Sequence, residues 1–118
     1  RSDIWVDAYR RRCEKLGGFV TLRRRGASEA GAIFLCVNGP DRMLDLYGPA
    51  PQSAYPHEGM SRKFLRLNRE PWTALDLDPF LDRQLRYDPD LWLIDIDDTR
   101  KRHFLLDDEL YQEAVPQA

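Results

Sequence analysis

The sequence predicts an α+β protein: a mostly antiparallel sheet of about five to six strands, with an N-terminal helix and a second, short helix packed on it. Three observations predict this fold. The N-terminal segment has helical periodicity, six short stretches have the pattern of strands, and short turn sequences join most of them. The chain has 118 residues, 42% apolar and 32% charged, which suits one folded domain. We expect residues 1–118 to form a single domain, with residues 107–118 as a loosely ordered tail.

The first predicted element is a helix over residues 3–16. Its apolar residues form one stripe at 100° per residue: Ile4, Trp5, Ala8, Tyr9, Cys13 and Leu16. Ser2 or Asp3 can cap the start, and a pair of glycines ends the helix. Arg12 falls in the middle of the stripe, so we expect it to form a structural salt bridge with an acidic residue of the last third.

Four strands are predicted next, over residues 19–25, 32–37, 43–47 and 62–67. The turn signal at residues 26–31 predicts that the first two strands form a hairpin. After the third strand, Gly48-Pro49-Ala50-Pro51 is expected to break the sheet and to open a long loop that reaches Ser61.

A second helix is predicted over residues 79–87, because Asp78 suits the N-cap position and Pro79 the first helical position. A strand over residues 91–97 follows, with Trp92, Ile94 and Ile96 on one face. The sequence predicts that a hairpin loop then leads to a last strand over residues 102–106.

Basic and acidic residues are concentrated in different parts of the chain. Residues 1–25 hold eight basic and three acidic side chains, whereas residues 76–118 hold five basic and twelve acidic ones. The simplest interpretation is that these two segments pack near each other. The alternative is a basic face for a phosphate-rich partner. The net charge of −2 excludes a strongly basic nucleic-acid binder, and no apolar run approaches the ~20 residues that span a membrane.

The cysteines favour a reducing compartment. Cys13 and Cys36 do not form a Cys-x-x-Cys motif, and the N-terminal residues lack the apolar core of a signal peptide. Two cysteines and two histidines make a zinc site only if all four converge. We therefore expect reduced, buried thiols in a cytoplasmic protein without a metal or another cofactor.

Several strings resemble a known family when they are taken together: Trp5-Val6 with Tyr9, Arg11-Arg12-Cys13, Arg23-Arg24-Arg25-Gly26, Ala30-Gly31-Ala32-Ile33, residues 46–52, residues 87–92 and Arg102-His103-Phe104. They resemble the uncharacterised domain-of-unknown-function family 1491 of short alphaproteobacterial proteins, over roughly residues 4–104. The resemblance implies a stand-alone cytoplasmic protein of one domain. It implies no activity and no catalytic residue.

Two segments are candidate binding sites. The first is the rigid loop after the third strand, with Tyr47, Pro49, Gln52 and Ser53. The second is the arginine run at the end of the first strand, which could hold a phosphate or a carboxylate. The structural alternative for this run is pairing across the sheet with Asp95 or Asp97.

The remaining candidates are carboxylates and histidines. Asp95 and Asp97 share one face of a strand, and paired carboxylates can bind magnesium or transfer protons. Neighbouring basic groups could equally neutralise them, so we count both, with Asp90, as structural salt-bridge candidates. His103 is a further candidate binding residue, although no motif such as Gly-x-Ser-x-Gly supports catalysis.

These observations predict a small, non-enzymatic binding or protein-interaction module. The loop over residues 47–53 would hold a protein segment or a small anion, with Arg24, Arg25 and Arg62 at its rim. One alternative is weak binding of nucleic acid or a phosphate ligand through the N-terminal arginines. Another is an enzyme of unrecognised type that uses His103, an aspartate and an arginine. Pairing of an exposed sheet edge into a homodimer also stays open.

Overall fold

The computed structural model describes residues 1–51 and 62–111. In chain order its elements are α1 (Ser2–Lys15), β1 (Phe19–Arg24), β2 (Ile33–Asn38), β3 (Leu44–Pro49), β4 (Phe64–Arg66), α2 (Ala74–Tyr87), β5 (Trp92–Asp97) and a 3₁₀ turn (Asp107–Glu109). The predicted α+β class is confirmed, with an N-terminal helix, a second helix and a mostly antiparallel sheet. None of the described helices is long and apolar enough to cross a membrane.

The sheet has the strand order β1-β5-β2-β3-β4, and only the neighbours β2 and β5 are parallel. The predicted hairpin of the first two strands is therefore wrong, because β5 lies between β1 and β2. Burial explains this order. Nearly every residue of β2 and β5 is buried, so these two strands take the centre of the sheet, whereas β1 is mostly exposed and lies at an edge.

One helix covers each face of the sheet. The core under α1 contains Val6, Tyr9 and Cys13 from the helix and the inward residues of four strands: Ile33, Leu35, Val37, Tyr47, Phe64, Trp92, Ile94 and Ile96. The core under α2 lies on the opposite face and contains Phe34, Cys36, Leu44, Leu46, Leu77, Leu91 and Leu93. The predicted grouping of Trp92, Ile94 and Ile96 on one face of their strand is confirmed.

Neither predicted N-terminal cap is correct. Ser2 lies inside α1 and its buried hydroxyl donates to the carbonyl of Gly31 at 2.7 Å, while the N-cap residue, Arg1, makes no side-chain cap. The C-terminal end follows the prediction, because Gly17 has φ of +96°, which glycine adopts without steric cost.

The second helix begins five residues earlier than predicted, at Ala74. Its N-cap is Thr73, whose main-chain N–H donates to the carboxylate of Asp76 at 2.9 Å. This capping box starts the helix before Asp78, and Pro79 lies inside the helix. A proline there removes one main-chain hydrogen bond, and the exposed position of Pro79 lets the helix accommodate it.

The predicted break after Tyr47 is also wrong, because Gly48 and Pro49 complete β3 and pair with β4. Gly48 fits there because a Cβ atom would lie 2.7 Å from the side chain of Leu67 and 2.8 Å from that of Phe34. The loop predicted after β3 lies outside the described residues from residue 52 to residue 61.

The predicted last strand over residues 102–106 does not form. The carboxylate of Asp98 accepts hydrogen bonds from the main chain of Arg102 at 2.8 Å and from its guanidinium at 2.9 Å. This turn, with positive φ at Lys101 and Phe104, directs the chain across the α1 face instead of back along β5. The hydroxyl of Tyr9 then donates to the carbonyl of His103 at 2.5 Å.

Candidate functional site

The two edges of the sheet differ in what covers them. On the β4 side, Leu110 pairs with Phe64, and the N–H of Tyr111 donates to the carbonyl of Phe64 at 2.7 Å. The ammonium of Lys63 also donates to the carbonyl of Asp108. Residues 103–111, which we call the C-terminal strap, therefore cover the outer side of β4 at its first residue, Phe64.

A second segment closes the part of β3 that the short strand β4 leaves uncovered. The side chain of Asn68 accepts from the N–H of Leu46 at 2.7 Å and donates to the carbonyl of Leu44 at 2.9 Å. Trp72 adds a main-chain bridge to Leu44. The main-chain groups of Leu44 and Leu46 on this side of the sheet thus have partners.

Glu109 anchors the strap to α1. Its buried carboxylate accepts from the guanidinium of Arg12 at 2.7 Å, from the indole of Trp5 at 3.0 Å and from the N–H of Leu106 at 2.8 Å. Arg12 also donates to the carbonyl of Phe104 at 2.8 Å. The arginine inside the apolar stripe of α1 is therefore paired in the C-terminal part of the chain, and Glu109 is its partner.

The opposite edge has no such cover among the residues that the structure describes. No described residue pairs with the outer side of β1, which is six residues long. Most of this strand is exposed, including 67% of Phe19 and 40% of Leu22. The ladder with β5 shifts register between Leu22 and Arg24, so Arg23 forms a bulge near one end.

A groove runs between α1 and this open edge; we call it the edge groove. Its floor is apolar and consists of Val6, Val20, Leu22, Trp92 and Ile94, and its rim contains Asp3, Asp7, Arg10 and Arg25. The groove encloses about 260 Å³. A neighbouring depression of about 390 Å³ extends it along α1 past Ile4, Ala8 and Arg11.

Carboxylates neutralise only some of the basic groups in residues 1–25. Ion pairs join Arg1 to Asp3, Arg10 and Arg11 to Asp7, Arg12 to Glu109 and Arg23 to Asp95. Arg24 instead donates to the neutral carbonyl of Pro89 at 2.7 Å, and Arg25 lies over the ring of Trp92 at 5.2 Å. Within the described residues, Lys15, Arg24 and Arg25 have no carboxylate partner.

The structure separates the predicted binding residues that it describes: Tyr47 and His103 contact each other at 5.3 Å between ring centroids, whereas Arg24 and Arg25 lie at the β1 edge. Arg24 lies opposite Leu93 on β5, and β2 separates β5 from β3. At ~4.8 Å between strands, about 14 Å separates Arg24 from Tyr47 and Pro49. Tyr47 is a core residue with 8% exposure, and burial raises the pKa of its hydroxyl.

Arg62, the third arginine of the predicted rim, donates to the hydroxyl of Ser2 at 3.4 Å. It therefore lies near the start of α1. Pro49 is partly buried in β3, and Gln52 and Ser53 lie outside the described residues. Of the predicted residues that the structure describes, Arg24 and Arg25 lie at the exposed edge.

His103 is held by its neighbours in the C-terminal strap. Its Nδ1 accepts from the N–H of Leu105 at 2.9 Å, and its ring packs edge-on against Tyr47. Burial lowers the pKa of the imidazole. The nearby ion pair, at 2.9 Å, joins Arg102 to Asp98.

The three candidate carboxylates have different surroundings. Asp95 pairs with Arg23 at 3.2 Å and accepts from the amide of Asn38 at 3.1 Å. Burial is the largest cause of a raised pKa at Asp95. Asp97 and Asp90 are exposed and have no ion pair with a described residue. Within residues 1–51 and 62–111, no three His, Cys, Asp or Glu side chains are arranged to hold a metal ion.

A second cavity lies where the parallel strands β2 and β5 end. It encloses about 380 Å³ and is lined by Gly17, Phe19, Asn38, Gly39, Pro40, Asp97, Asp98 and Thr99. The sequence Asn38-Gly39-Pro40-Asp41 is typical of a turn and does not by itself indicate a binding site. The parallel pairing would have indicated this site, because ligands of α/β sheets commonly bind at the carboxyl ends of strands, but no local pattern in the sequence reveals that pairing.

The fold and its surfaces define a class of protein: a small five-stranded sheet with one helix on each face, one closed edge and one open edge above a groove. The family described as "Protein of unknown function (DUF1491)" matches residues 1–106. The chain belongs to this family.

Solved structures of relatives are similar in sequence and fold. A crystal structure of a DUF1491 family protein from Caulobacter crescentus CB15 is 32% identical, with a TM-score of 0.73 over 93% of this chain and 95% of that one. The solution structure of Atu0922 from A. tumefaciens is 35% identical, with a TM-score of 0.74 over 83% of this chain and 85% of that one. No curated protein matches the chain.

Proposed function

We propose that this protein is a non-enzymatic interaction module that binds an extended, acidic segment of a partner protein along β1. The observation that carries this proposal is the six-residue edge strand with an uncovered outer side above an apolar groove. Exposed strand edges bind peptides by adding a strand, in which main-chain hydrogen bonds supply affinity and alternate side chains supply specificity.

The shape of the edge groove supports this mode of binding. Val20 and Leu22 lie opposite Ile96 and Ile94, which face α1, so they point toward the same side. Every second side chain of an added strand would also point to that side. Those side chains would contact Leu22 and the exposed side chain of Ile4 on α1.

The charge of the edge supports an acidic partner. Arg24 and Arg25 end the edge strand without a carboxylate partner among the described residues, and Arg25 also lies on the groove rim. Carboxylates are the side chains that pair with arginine in a planar, bidentate geometry. The proposal keeps Arg24 and Arg25 from the predicted site, and it replaces the distant Tyr47 and His103 with Val20 and Leu22.

A titration followed by amide chemical shifts tests the proposal. The probe is a capped ten-residue peptide that alternates valine with glutamate, and the comparison peptide alternates valine with lysine. We expect the acidic peptide to shift the amides of β1 and α1 with weak, saturable binding, and the lysine peptide to leave them unchanged. The double variant Arg24→Ser/Arg25→Ser should weaken binding about fivefold or more.

A matched control separates local pairing from a general effect of charge. Arg83→Ser/Arg86→Ser removes the same charge from the exposed side of α2 and should leave peptide binding unchanged. The proposal is overturned if this control weakens binding as much as the edge variant does, or if the acidic peptide leaves the amide chemical shifts of β1 unchanged. Tighter binding of a ten-nucleotide RNA than of the peptide, or a dimer in light scattering together with concentration-dependent shifts of the β1 amides, would assign the edge to a different occupant.

The two thiols support a cytoplasmic location for this module. Burial raises the pKa of Cys13 to about 11 and that of Cys36 to about 12. The two residues belong to cores on opposite faces of the sheet and are both free. A protein without a disulfide suits a reducing compartment, and fractionation of cells that express the protein tests this location.

A further inference from the structure

The cavity at the ends of β2 and β5 is separate from the edge groove, and three different kinds of side chain line it. Phe19 lies directly opposite Asp97 in the antiparallel ladder, and Asn38 is the parallel partner of Asp97. Residues paired in this way point to the same face of a sheet, with Cβ atoms about 5 Å apart. An aromatic ring, a carboxylate and a carboxamide therefore form one row along the cavity.

Most hydrogen-bond donors around this cavity already have acceptors. The amide group of Asn38 donates to Asp95 at 3.1 Å and to the carbonyl of Cys36 at 3.3 Å. The N–H of Gly39 donates to Met43 at 3.1 Å, and that of Asp98 donates to the carbonyl of Asn38 at 3.1 Å. The cavity consequently offers few donors to an anionic ligand.

Two acceptors in the cavity lack donors among the described residues. They are the side-chain oxygen of Asn38, whose nitrogen is committed to Asp95, and the exposed carboxylate of Asp97. The carboxylate of Asp98 differs, because Arg102 binds it through both guanidinium and main-chain nitrogens. Asp97 thus supplies a carboxylate that forms no ion pair with a described side chain; the cations nearest to the cavity lining, Lys101 and Arg102, pair instead with Asp45 and Asp98.

Phe19 gives the cavity an apolar wall. Its side chain is 67% exposed, although it is a large aromatic residue, and Pro40 also lines the cavity. The face of an aromatic ring attracts a cation, and a carboxylate beside it strengthens that preference. The volume of about 380 Å³ is in the range of small-molecule sites.

We propose that this cavity binds a small organic cation, in which an ammonium or guanidinium group is attached to an apolar body. The charged group donates to Asp97 and Asn38, and the apolar body packs on Phe19 and Pro40. The inference does not depend on the proposed function, because it requires neither the outer side of β1 nor Arg24 and Arg25.

Benzylammonium chloride is the probe for this proposal, with benzyl alcohol as its neutral match and inorganic phosphate as the anionic one. The full chain is titrated and amide chemical shifts are recorded. We expect saturable shifts at Gly39, Asp98 and Thr99 with benzylammonium, and none with benzyl alcohol or phosphate. Asp97→Asn should weaken binding about fivefold, and Phe19→Ala about threefold.

Asp82→Asn, which removes the same charge from an exposed position of α2, is the matched control and should leave the affinity unchanged. Asp97 and Phe19 are both exposed, so their variants should fold, as their amide spectra will show. The proposal is overturned if benzylammonium causes no saturable shift at these amides, if benzyl alcohol binds equally well, or if folded Asp97→Asn binds as tightly as the unchanged protein.

Discussion

Other described residues cover one edge of the sheet and leave the opposite edge uncovered. The β3–β4 side is closed by Asn68, by Trp72 and by the C-terminal strap, which Glu109 fastens to α1. The β1 side is twice as long as β4, with six residues against three, and no described residue pairs with its outer side.

This difference indicates that another chain can pair with the molecule at β1 more readily than at β4. An open edge strand can pair with a strand of another chain, and proteins commonly protect such an edge with a covering segment, a bulge or charged side chains. Among the described residues, the strap covers β4 at Phe64, whereas β1 is protected by a bulge at Arg23 and a run of arginines. Charge and a bulge resist another basic or long flat strand, but they leave the edge accessible to a short acidic segment.

The largest expected effect on the free energy of unfolding comes from removing the carboxylate of Glu109, which anchors the C-terminal strap. Glu109→Ala leaves Arg12 without its carboxylate and removes the acceptor of Trp5 and Leu106, so it should lower the free energy of unfolding by about 3 kcal/mol. Urea unfolding followed by circular dichroism measures this. Asp107→Ala removes an exposed carboxylate of the same turn and should change stability by about 0.5 kcal/mol or less; equal losses would contradict the anchoring role of Glu109.

A smaller effect is expected at the turn that leads into the strap. Asp98→Asn weakens the charge-assisted hydrogen bonds to Arg102 and should cost about 2 kcal/mol at neutral pH. Those hydrogen bonds lower the pKa of Asp98 to about 2, below its usual 3.8. The stabilisation is therefore present above pH 3.8 and is lost as the pH falls toward 2. The difference between the two proteins should shrink over this interval in thermal unfolding; a constant difference would contradict the assignment.

Mild acid should also destabilise the strap, because it protonates His103 on unfolding. The loss in the free energy of unfolding should be smaller than that caused by Asp98→Asn. Burial lowers the pKa of this imidazole from the usual 6.5, so the unfolded chain binds a proton more readily than the folded one. The contribution of His103 to the free energy of unfolding is complete above pH 6.5, and it falls as the pH decreases through the interval between the two pKa values. His103→Gln should flatten that part of the profile, and an unchanged slope would show that His103 does not cause it.

The smallest effect on stability should come from the open edge itself. Leu22 is 40% exposed at the groove, so Leu22→Thr should change the free energy of unfolding by about 0.5 kcal/mol or less. The same variant should weaken binding of the acidic peptide by a factor of at least about three. A large loss of stability with intact peptide binding would mean that Leu22 serves the core and not the edge.

Local signals predicted much of this fold. Helical periodicity located α1, and the apolar pattern around Ile94 located β5. Competing local signals explain one error: both Thr73 and Asp78 suit a helix N-cap, and the capping box with Asp76 decides between them. The predicted last strand does not form, because the pairing of Asp98 with Arg102 turns the chain away from the sheet.

Contacts between distant parts of the chain could not be predicted from local patterns. The insertion of β5 between β1 and β2 brings Phe19, Asn38 and Asp97 together, although they belong to three separate segments. The same pairing places Arg24 and Tyr47 on strands that are not neighbours. The topology therefore separates Arg24 from the start of the predicted binding loop, while the edge groove and the cavity at the ends of β2 and β5 both depend on the position of β5.

Amide hydrogen exchange of the full chain at low concentration tests the contrast between the two edges most directly. We expect slow exchange at Leu46 and Tyr111, whose N–H groups donate to Asn68 and Phe64. Along β1, we expect fast exchange at every second amide, and slower exchange there once the acidic peptide is added. Slow exchange at all β1 amides without peptide, or exchange at Tyr111 as fast as at the outward amides of β1, would contradict this difference between the two edges.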